Sequence, residues 1–141
     1  MSTYVTNSKA ETVSLGEKLA ATLHAGDLIL FTGGLGAGKT AFCEGIAAGL
    51  HCIDAVSSPT FAIVNAYRGT QIFAHFDLYR ISTMEDLQSA GFFDYLEDGA
   101  IVAAEWSENV ATLLKDEPHI SIDIAQTGEN TRRITICGGA L

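Results

Sequence analysis

The 141-residue chain is short of basic side chains. Eight Lys and Arg stand against seventeen Asp and Glu, giving a formal net charge of −9 at pH 7. That balance argues against autonomous nucleic-acid binding, which rests on a basic footprint, so any service to RNA runs through a partner. Cysteine is scarce as well. Cys43, Cys52 and Cys137 are odd in number and show no C-x-x-C spacing. Neither a disulfide framework nor a zinc site is expected, and free thiols in a reducing compartment fit better. His24, His51, His75 and His119 lie far apart with no metal spacing and are expected at the surface or half-buried. No apolar stretch reaches the length of a membrane span, so no membrane partner is expected. Met1-Ser2-Thr3-Tyr4 lacks a basic region followed by an apolar run, so a signal peptide is not expected and the expected location is the cytoplasm. No repeat, low-complexity tract or linker divides residues 1–141, which are expected to form one domain.

What is present is core-forming material. Apolar residues make up 48% and charged residues 18% of the chain, which suits a compact globule and argues against disorder. A domain of this size buries roughly 68–70% of its unfolded surface, so it needs no covalent staples.

One stretch organises the rest. Asp27-Leu28-Ile29-Leu30-Phe31 has strand length and is apolar on both faces, as a buried parallel strand is. It enters Thr32-Gly33-Gly34-Leu35-Gly36-Ala37-Gly38-Lys39-Thr40, in which Gly33, Gly38, Lys39 and Thr40 fit G-x-x-x-x-G-K-[ST]. Glycines let bare backbone approach a ligand, and the N–H groups from Leu35, Gly36 and Ala37 through Ala41 can cradle phosphate at a helix start. Lys39 is placed for the outer phosphates and the Thr40 hydroxyl for Mg²⁺.

Along the chain, a short strand is expected over Tyr4–Thr6. Ser8 and Glu11 form a capping box for a helix with Val13, Leu15, Leu19, Ala20 and Leu23 on one face and Gly26 as its C-terminal cap. A helix is expected from Gly38 to Leu50, although Gly45 and Gly49 each weaken it by about 1 kcal/mol relative to Ala. Phe61–Tyr67 and Gln71–Leu78 flank Arg68-Gly69-Thr70 as a hairpin. Ser82 and Glu85 form a second capping box, Ile101–Ala104 a buried strand, and Ser107 a cap for a helix ended by Pro118. His119–Ala125 and Arg132–Cys137 alternate as a terminal hairpin. The expected fold is α/β: a P-loop domain with a mixed sheet, its central parallel strands flanked by antiparallel hairpins.

A phosphate loop binds a nucleotide, but phosphoryl transfer also needs charge neutralisation and a positioned nucleophile. Acids at strand ends can supply these. Glu105 ends Ile101–Ala104, where a Mg²⁺-supporting acid belongs, or it is a plain exposed carboxylate. Asp77 lies late in the second hairpin strand; it can polarise water, hold Mg²⁺ through a water, or pair with Arg80. Trp106 is either a wall of the site or core. Thr60 after Pro59 has the position of a γ-phosphate sensor. No N-K-x-D segment reads guanine, so ATP is the default nucleotide.

Gly33–Thr40, Ser58-Pro59-Thr60-Phe61, His75-Phe76-Asp77-Leu78-Tyr79-Arg80 and Glu105-Trp106, in this order, resemble the bacterial TsaE family. The resemblance implies ATP hydrolysis in formation of threonylcarbamoyladenosine next to the anticodon of tRNAs reading codons that begin with A. It implies docking on the TsaB–TsaD pair, which carries out the transfer, and contact with tRNA only through that pair. It also implies that Lys39 and Thr40 bind phosphates and Mg²⁺, that Glu105 is a Mg²⁺ ligand and that Asp77 is needed for hydrolysis. Trp106 is then near the nucleotide, and Ser58–Thr60 forms a switch-like segment. Three positions depart from the family pattern: Gly34 for Asp, Ala41 for Thr, and Glu44 for a basic residue expected to face outward. A small-molecule kinase and a nucleotide-dependent scaffold are the alternatives.

Overall fold

A computed structural model describes residues 1–34, 37–54, 56, 63–106, 110–139 and 141. Seven strands form one mixed sheet: β1 (Ser2–Thr6), β2 (Leu28–Thr32), β3 (Val64–Tyr67), β4 (Phe73–Asp77), β5 (Ile101–Glu105), β6 (Ile120–Gln126) and β7 (Arg132–Cys137). Their order is β1-β7-β6-β2-β5-β4-β3. The inner four, β6, β2, β5 and β4, run parallel. β3 on one side, and β7 with β1 on the other, are antiparallel to their neighbours. This is the mixed sheet expected from the apolar runs and hairpin signals.

Alternation along the inner strands builds two cores. Ile29, Phe31, Ile101, Ala103 and Phe73 face α1 (Lys9–Ala20) and α2 (Lys39–Gly49), meeting Leu15, Leu19, Phe42 and Ile46. Leu28, Leu30, Val102, Ala104, Ala74 and Phe76 face α3 (Met84–Ser89), α4 (Phe92–Glu97) and α5 (Ala111–Leu114), meeting Leu87, Phe92 and Leu114. Full burial of each Ile, Leu or Phe contributes about 1.5–3 kcal/mol, so a sheet covered on both faces supplies most of the driving force.

α1 and α2 approach unusually closely, and this is the role of the glycines that propensity marks as weak. A Cβ on Gly45 would sit 2.0 Å from the Val13 carbonyl oxygen, and one on Gly16 would sit 2.4 Å from that of Phe42. The helix starting at the phosphate loop is thereby fixed against α1.

Several local expectations are corrected. α1 ends at Ala20 with Ala21 as its cap, so Gly26 does not close the helix. Instead Gly26 turns the chain into β2 at φ +84°, its N–H donating to the Ala100 carbonyl. The second cap is Thr83, not Ser82: its hydroxyl accepts from Asp86 N at 3.1 Å, while the Asp86 carboxylate reaches back to Ser82 N at 3.5 Å. The cap is displaced by one residue, and Asp86 reaches past it to Ser82 N, not to the Thr83 N–H that a full capping box would use. The expected Ser107 cap lies outside the described residues.

Candidate nucleotide site

β2 delivers the loop to the C-terminal edge of the parallel strands, where ligands of open α/β sheets gather. Two glycines shape it. Gly33 has φ +136°, and a Cβ there would meet the Ile124 carbonyl oxygen at 2.4 Å. Gly38 has φ +107° and caps α2 without any side-chain hydrogen bond. The first intrahelical bond runs from Phe42 N to the Gly38 carbonyl. The N–H groups of Lys39, Thr40 and Ala41 therefore have no acceptor within the helix. The first turn of α2 carries no acid to fill that end, so a phosphate group suits it.

Lys39 is buried at 8% exposure. Its ammonium donates to the Gly33 carbonyl at 3.2 Å, lies 3.7 Å from Glu105 Oε1 and sits 5.2 Å from the Trp106 ring centroid. The 3.7 Å separation exceeds a charge-assisted hydrogen bond, so Lys39 is not locked onto the acid. The sheet register brings Glu105 and Asp77 side by side as β5–β4 partners. Trp106 follows at φ +61°, a conformation costly for a non-glycine residue. Its ring packs edge-on against the exposed Tyr79 at 5.1 Å. Trp106 is thus half-buried, with the Lys39 ammonium over its ring and Tyr79 at its edge.

His75 was expected at or near the surface; it is fully buried. It lies on the same face of β4 as Asp77, two residues earlier, and its ring stacks on Phe73 at 6.4 Å. Its Nε2 is 3.1 Å from Glu105 Oε2 and 3.9 Å from Cys43 Sγ, and its Nδ1 has no hydrogen-bond partner among the described residues. Burial opposes a charged imidazolium, but the Cys43 sulfur and the Glu105 carboxylate outweigh it and raise the His75 pKa to about 10. Burial likewise opposes a charged Glu105; His75 and then Lys39 outweigh it, holding this carboxyl below its ordinary value. Glu105 therefore carries negative charge at neutral pH although it is only 7% exposed.

Asp77 is half-buried, and its Oδ1 accepts from Tyr79 N at 3.0 Å. Among the described residues no ion pair joins it to Arg80. Arg68 is held by Asp54 at 3.2 Å, away from the loop. Glu44 turns toward Lys9 at 3.5 Å, as expected of a residue facing away from phosphate. Thr40 is half-buried at the start of α2, and Ala37 is buried in the loop. Leu35, Gly36 and the Ser58–Thr60 segment with Thr60 lie outside the described residues.

Sequence reasoning missed a wall. Arg132, at the start of β7, donates from Nε to the Ala37 carbonyl at 2.9 Å and lies against Gly38. With Ser8, Lys9, Thr12, Ala41 and Asn130 it lines a cavity of about 210 Å³ beside the loop. Neither Arg132 nor Ser8 sits in a phosphate motif; only the sheet order brings them there. A larger cavity of about 430 Å³, lined by Asp27, Glu117 and His119, lies at the opposite end of β2.

Among the described residues no group of three His, Cys, Asp or Glu is arranged to hold a metal ion. The donor set instead fits Mg²⁺ bound mainly through a nucleotide: one hydroxyl, Thr40, and one buried charged carboxylate, Glu105.

Sheet, loop and strand-end acid together define the class, a single-domain α/β fold of the P-loop type. A family model described as "Threonylcarbamoyl adenosine biosynthesis protein TsaE" matches residues 6–134, and the chain belongs to the TsaE family. It is 31% identical to the "tRNA threonylcarbamoyladenosine biosynthesis protein TsaE" of Treponema pallidum, over 94% of this chain and 97% of that one. It is 36% identical to the protein of the same name from Streptomyces coelicolor, over 88% of each chain. A solved structure described as that of Bacillus subtilis YdiB superposes with a TM-score of 0.80 at 29% identity, covering 96% of this chain and 83% of that one. No helix among the described residues is long and apolar enough to cross a membrane.

Proposed function

We propose that this chain binds ATP with Mg²⁺ and hydrolyses it slowly in the cytoplasm. It does so as the ATPase of the machinery that forms threonylcarbamoyladenosine next to the anticodon of tRNAs reading codons that begin with A. It acts on the TsaB–TsaD pair to permit repeated turnover, meets tRNA only through that pair, and does not transfer the threonylcarbamoyl group itself. The observation that carries the nucleotide reading is the buried Lys39 held between the Gly33 carbonyl, Glu105 and Trp106 at an uncapped helix start.

The chain's own groups divide the work. Backbone N–H groups from Gly33 to Ala41 receive the phosphates, and Lys39 leaves the Gly33 carbonyl for the outer ones. Thr40 and Glu105 hold the magnesium ion, which when bound neutralises charge on the phosphate oxygens. Asp77, its direction fixed by the Tyr79 N–H, orients water for attack on the γ-phosphorus as the bond to the leaving ADP oxygen breaks. Thr60 is assigned to sensing the γ-phosphate. The nucleoside end takes the cavity beside Ala41 and Arg132. Arg68 is engaged by Asp54 and Arg132 by the Ala37 carbonyl, so neither is placed as an arginine finger. Arg80, exposed and three residues after Asp77, is the remaining candidate in cis; with no arginine assigned as a finger, a group worth about 10³–10⁵ in rate, low intrinsic turnover is expected.

The test is ATP hydrolysis by the purified chain with and without TsaB–TsaD. Stimulation by the pair is expected, Lys39→Ala should not bind ATP, and Asp77→Ala should bind ATP but hydrolyse it about 10²–10⁴-fold more slowly. Equal rates for Asp77→Ala and wild type refute the role of Asp77. ADP release that depends on a small-molecule acceptor indicates a kinase instead. Normal modification with the Asp77→Ala chain indicates a scaffold.

A further inference from the structure

We propose that His75 is a positioning residue for Glu105: its Nε2–H pins Glu105 Oε2 so that Oε1 faces the phosphate loop. This rests on the nucleotide and magnesium reading above.

The geometry gives His75 one strong polar contact. Nε2 meets Oε2 at 3.1 Å; Nδ1 is buried without a partner among the described residues; Cys43 Sγ, at 3.9 Å, is a weak contact of Nε2. Nε2 donates to a Glu105 carboxylate oxygen both in the charged ring and in the neutral Nε2–H tautomer, and only the neutral Nδ1–H tautomer removes the bond. An orphaned polar atom in a core is a cost that an apolar aromatic ring of similar size would avoid. Phe73 and His75 already stack with an interplanar angle of 12°, so phenylalanine at position 75 keeps an aromatic ring there while losing the polar contacts to Glu105 and Cys43. The two oxygens of Glu105 have separate partners, Oε2 toward His75 and Oε1 toward Lys39. A glutamate side chain has three rotatable bonds, and a buried N–H fixed on the neighbouring strand removes that freedom. Outer partners of metal-binding carboxylates typically matter by 10–100-fold in metal affinity.

The experiment uses the full chain with ATPγS, and Mn²⁺ as the probe, titrated by electron paramagnetic resonance. His75→Phe should weaken Mn²⁺ binding to the nucleotide complex by about 10–100-fold. His75→Gln, which keeps a terminal N–H, should restore it to within about threefold of wild type, by the same outer-partner reasoning. Nucleotide affinity without metal should change far less than metal affinity in both. Ring ¹⁵N NMR of the ligand-free wild type gives a readout that needs no variant to fold: Nε2 should be protonated and slow to exchange. Unchanged Mn²⁺ affinity in His75→Phe, failure of His75→Gln to recover, or an unprotonated Nε2 overturns the role of His75. Wild type that takes up ATPγS but no Mn²⁺ overturns the magnesium reading itself, and wild type that takes up neither overturns the nucleotide reading as well.

Discussion

Replacing Gly45 by alanine sets two quantified effects against each other. Helix propensity favours the change: alanine in a helix interior is about 1 kcal/mol better than glycine. Packing opposes it. The new Cβ would stand 2.0 Å from the Val13 carbonyl oxygen and 2.9 Å from Gly16 Cα. Both are backbone atoms, so no side chain can rotate away. Restoring ordinary contact requires α1 and α2 to separate by more than an ångström, and a gap of 0.5–1 Å already forfeits a quarter to a half of each dispersion contact. The facing side chains, Leu15, Leu19, Phe42 and Ile46, are all buried. Overpacking typically costs about 1–3 kcal/mol, and a helix displacement falls at or beyond the upper end. Net destabilisation of about 2 kcal/mol is expected, lowering Tm by roughly 4–8 °C at about 2–4 °C per kcal/mol. Urea denaturation followed by circular dichroism measures it. Ala48→Gly on the exposed face of α2 calibrates the propensity effect alone, at about 1 kcal/mol. Because α2 starts at Lys39 and Thr40, Gly45→Ala should also weaken ATP binding. A Gly45→Ala protein as stable as wild type, or more so, refutes the close-packing account.

Arg132→Ala removes the donor to the Ala37 carbonyl and should destabilise the fold by about 1.5–3 kcal/mol in urea denaturation while weakening ATP binding; Arg132→Lys should not recover it, since lysine lacks the rigid fork. Gly34→Asp, at one of the departures from the family pattern that the resemblance implies, meets open space, with none of the described residues within 4 Å of the added Cβ. Its stability should stay within about 0.5 kcal/mol of wild type, and a larger loss in a thermal melt would contradict the local geometry. Asp54 accepts hydrogen bonds from the Arg68 side chain and backbone, which hold its carboxyl below the usual value of 3.8. A depressed carboxylate contributes stability that is present above its unfolded pKa and lost as pH falls through its folded one, so this contribution fades only below about 3.8. A carboxyl NMR titration should show the low midpoint in wild type and a rise toward the ordinary value in Arg68→Ala, incomplete because the backbone N–H bond at position 68 remains.

Local chemistry made much of the fold legible. Apolar runs of strand length, the Ser8–Glu11 box and the two hairpin turns each act within a few residues, and they place β2, α1, β4, β5 and the β6–β7 hairpin with small errors at their ends. Where local signals compete, as with Thr83 beside Ser82 or Gly26 after a helix that has already ended, sequence alone chose the wrong partner. The site divides in the same way. Gly33, Gly38, Lys39 and Thr40 fall within eight consecutive residues, so their spacing alone points to a phosphate loop. Asp77 and Glu105 are visible as strand-end acids.

Other features exist only in three dimensions. Parallel pairing of β4 with β5 puts His75 within hydrogen-bonding distance of Glu105, although thirty positions separate them in the chain and a lone histidine in an apolar strand carries no signal of its own. The order β7-β6-β2 carries Arg132 to the Ala37 carbonyl across 95 residues. Gly45 and Gly49 look like weak points in α2 until that helix meets α1. The sequence determined which groups are candidates for phosphate and metal. Tertiary structure decided which oxygens and nitrogens face each other, because long-range strand pairing and helix contact are set by the whole packed sheet and not by any segment of it.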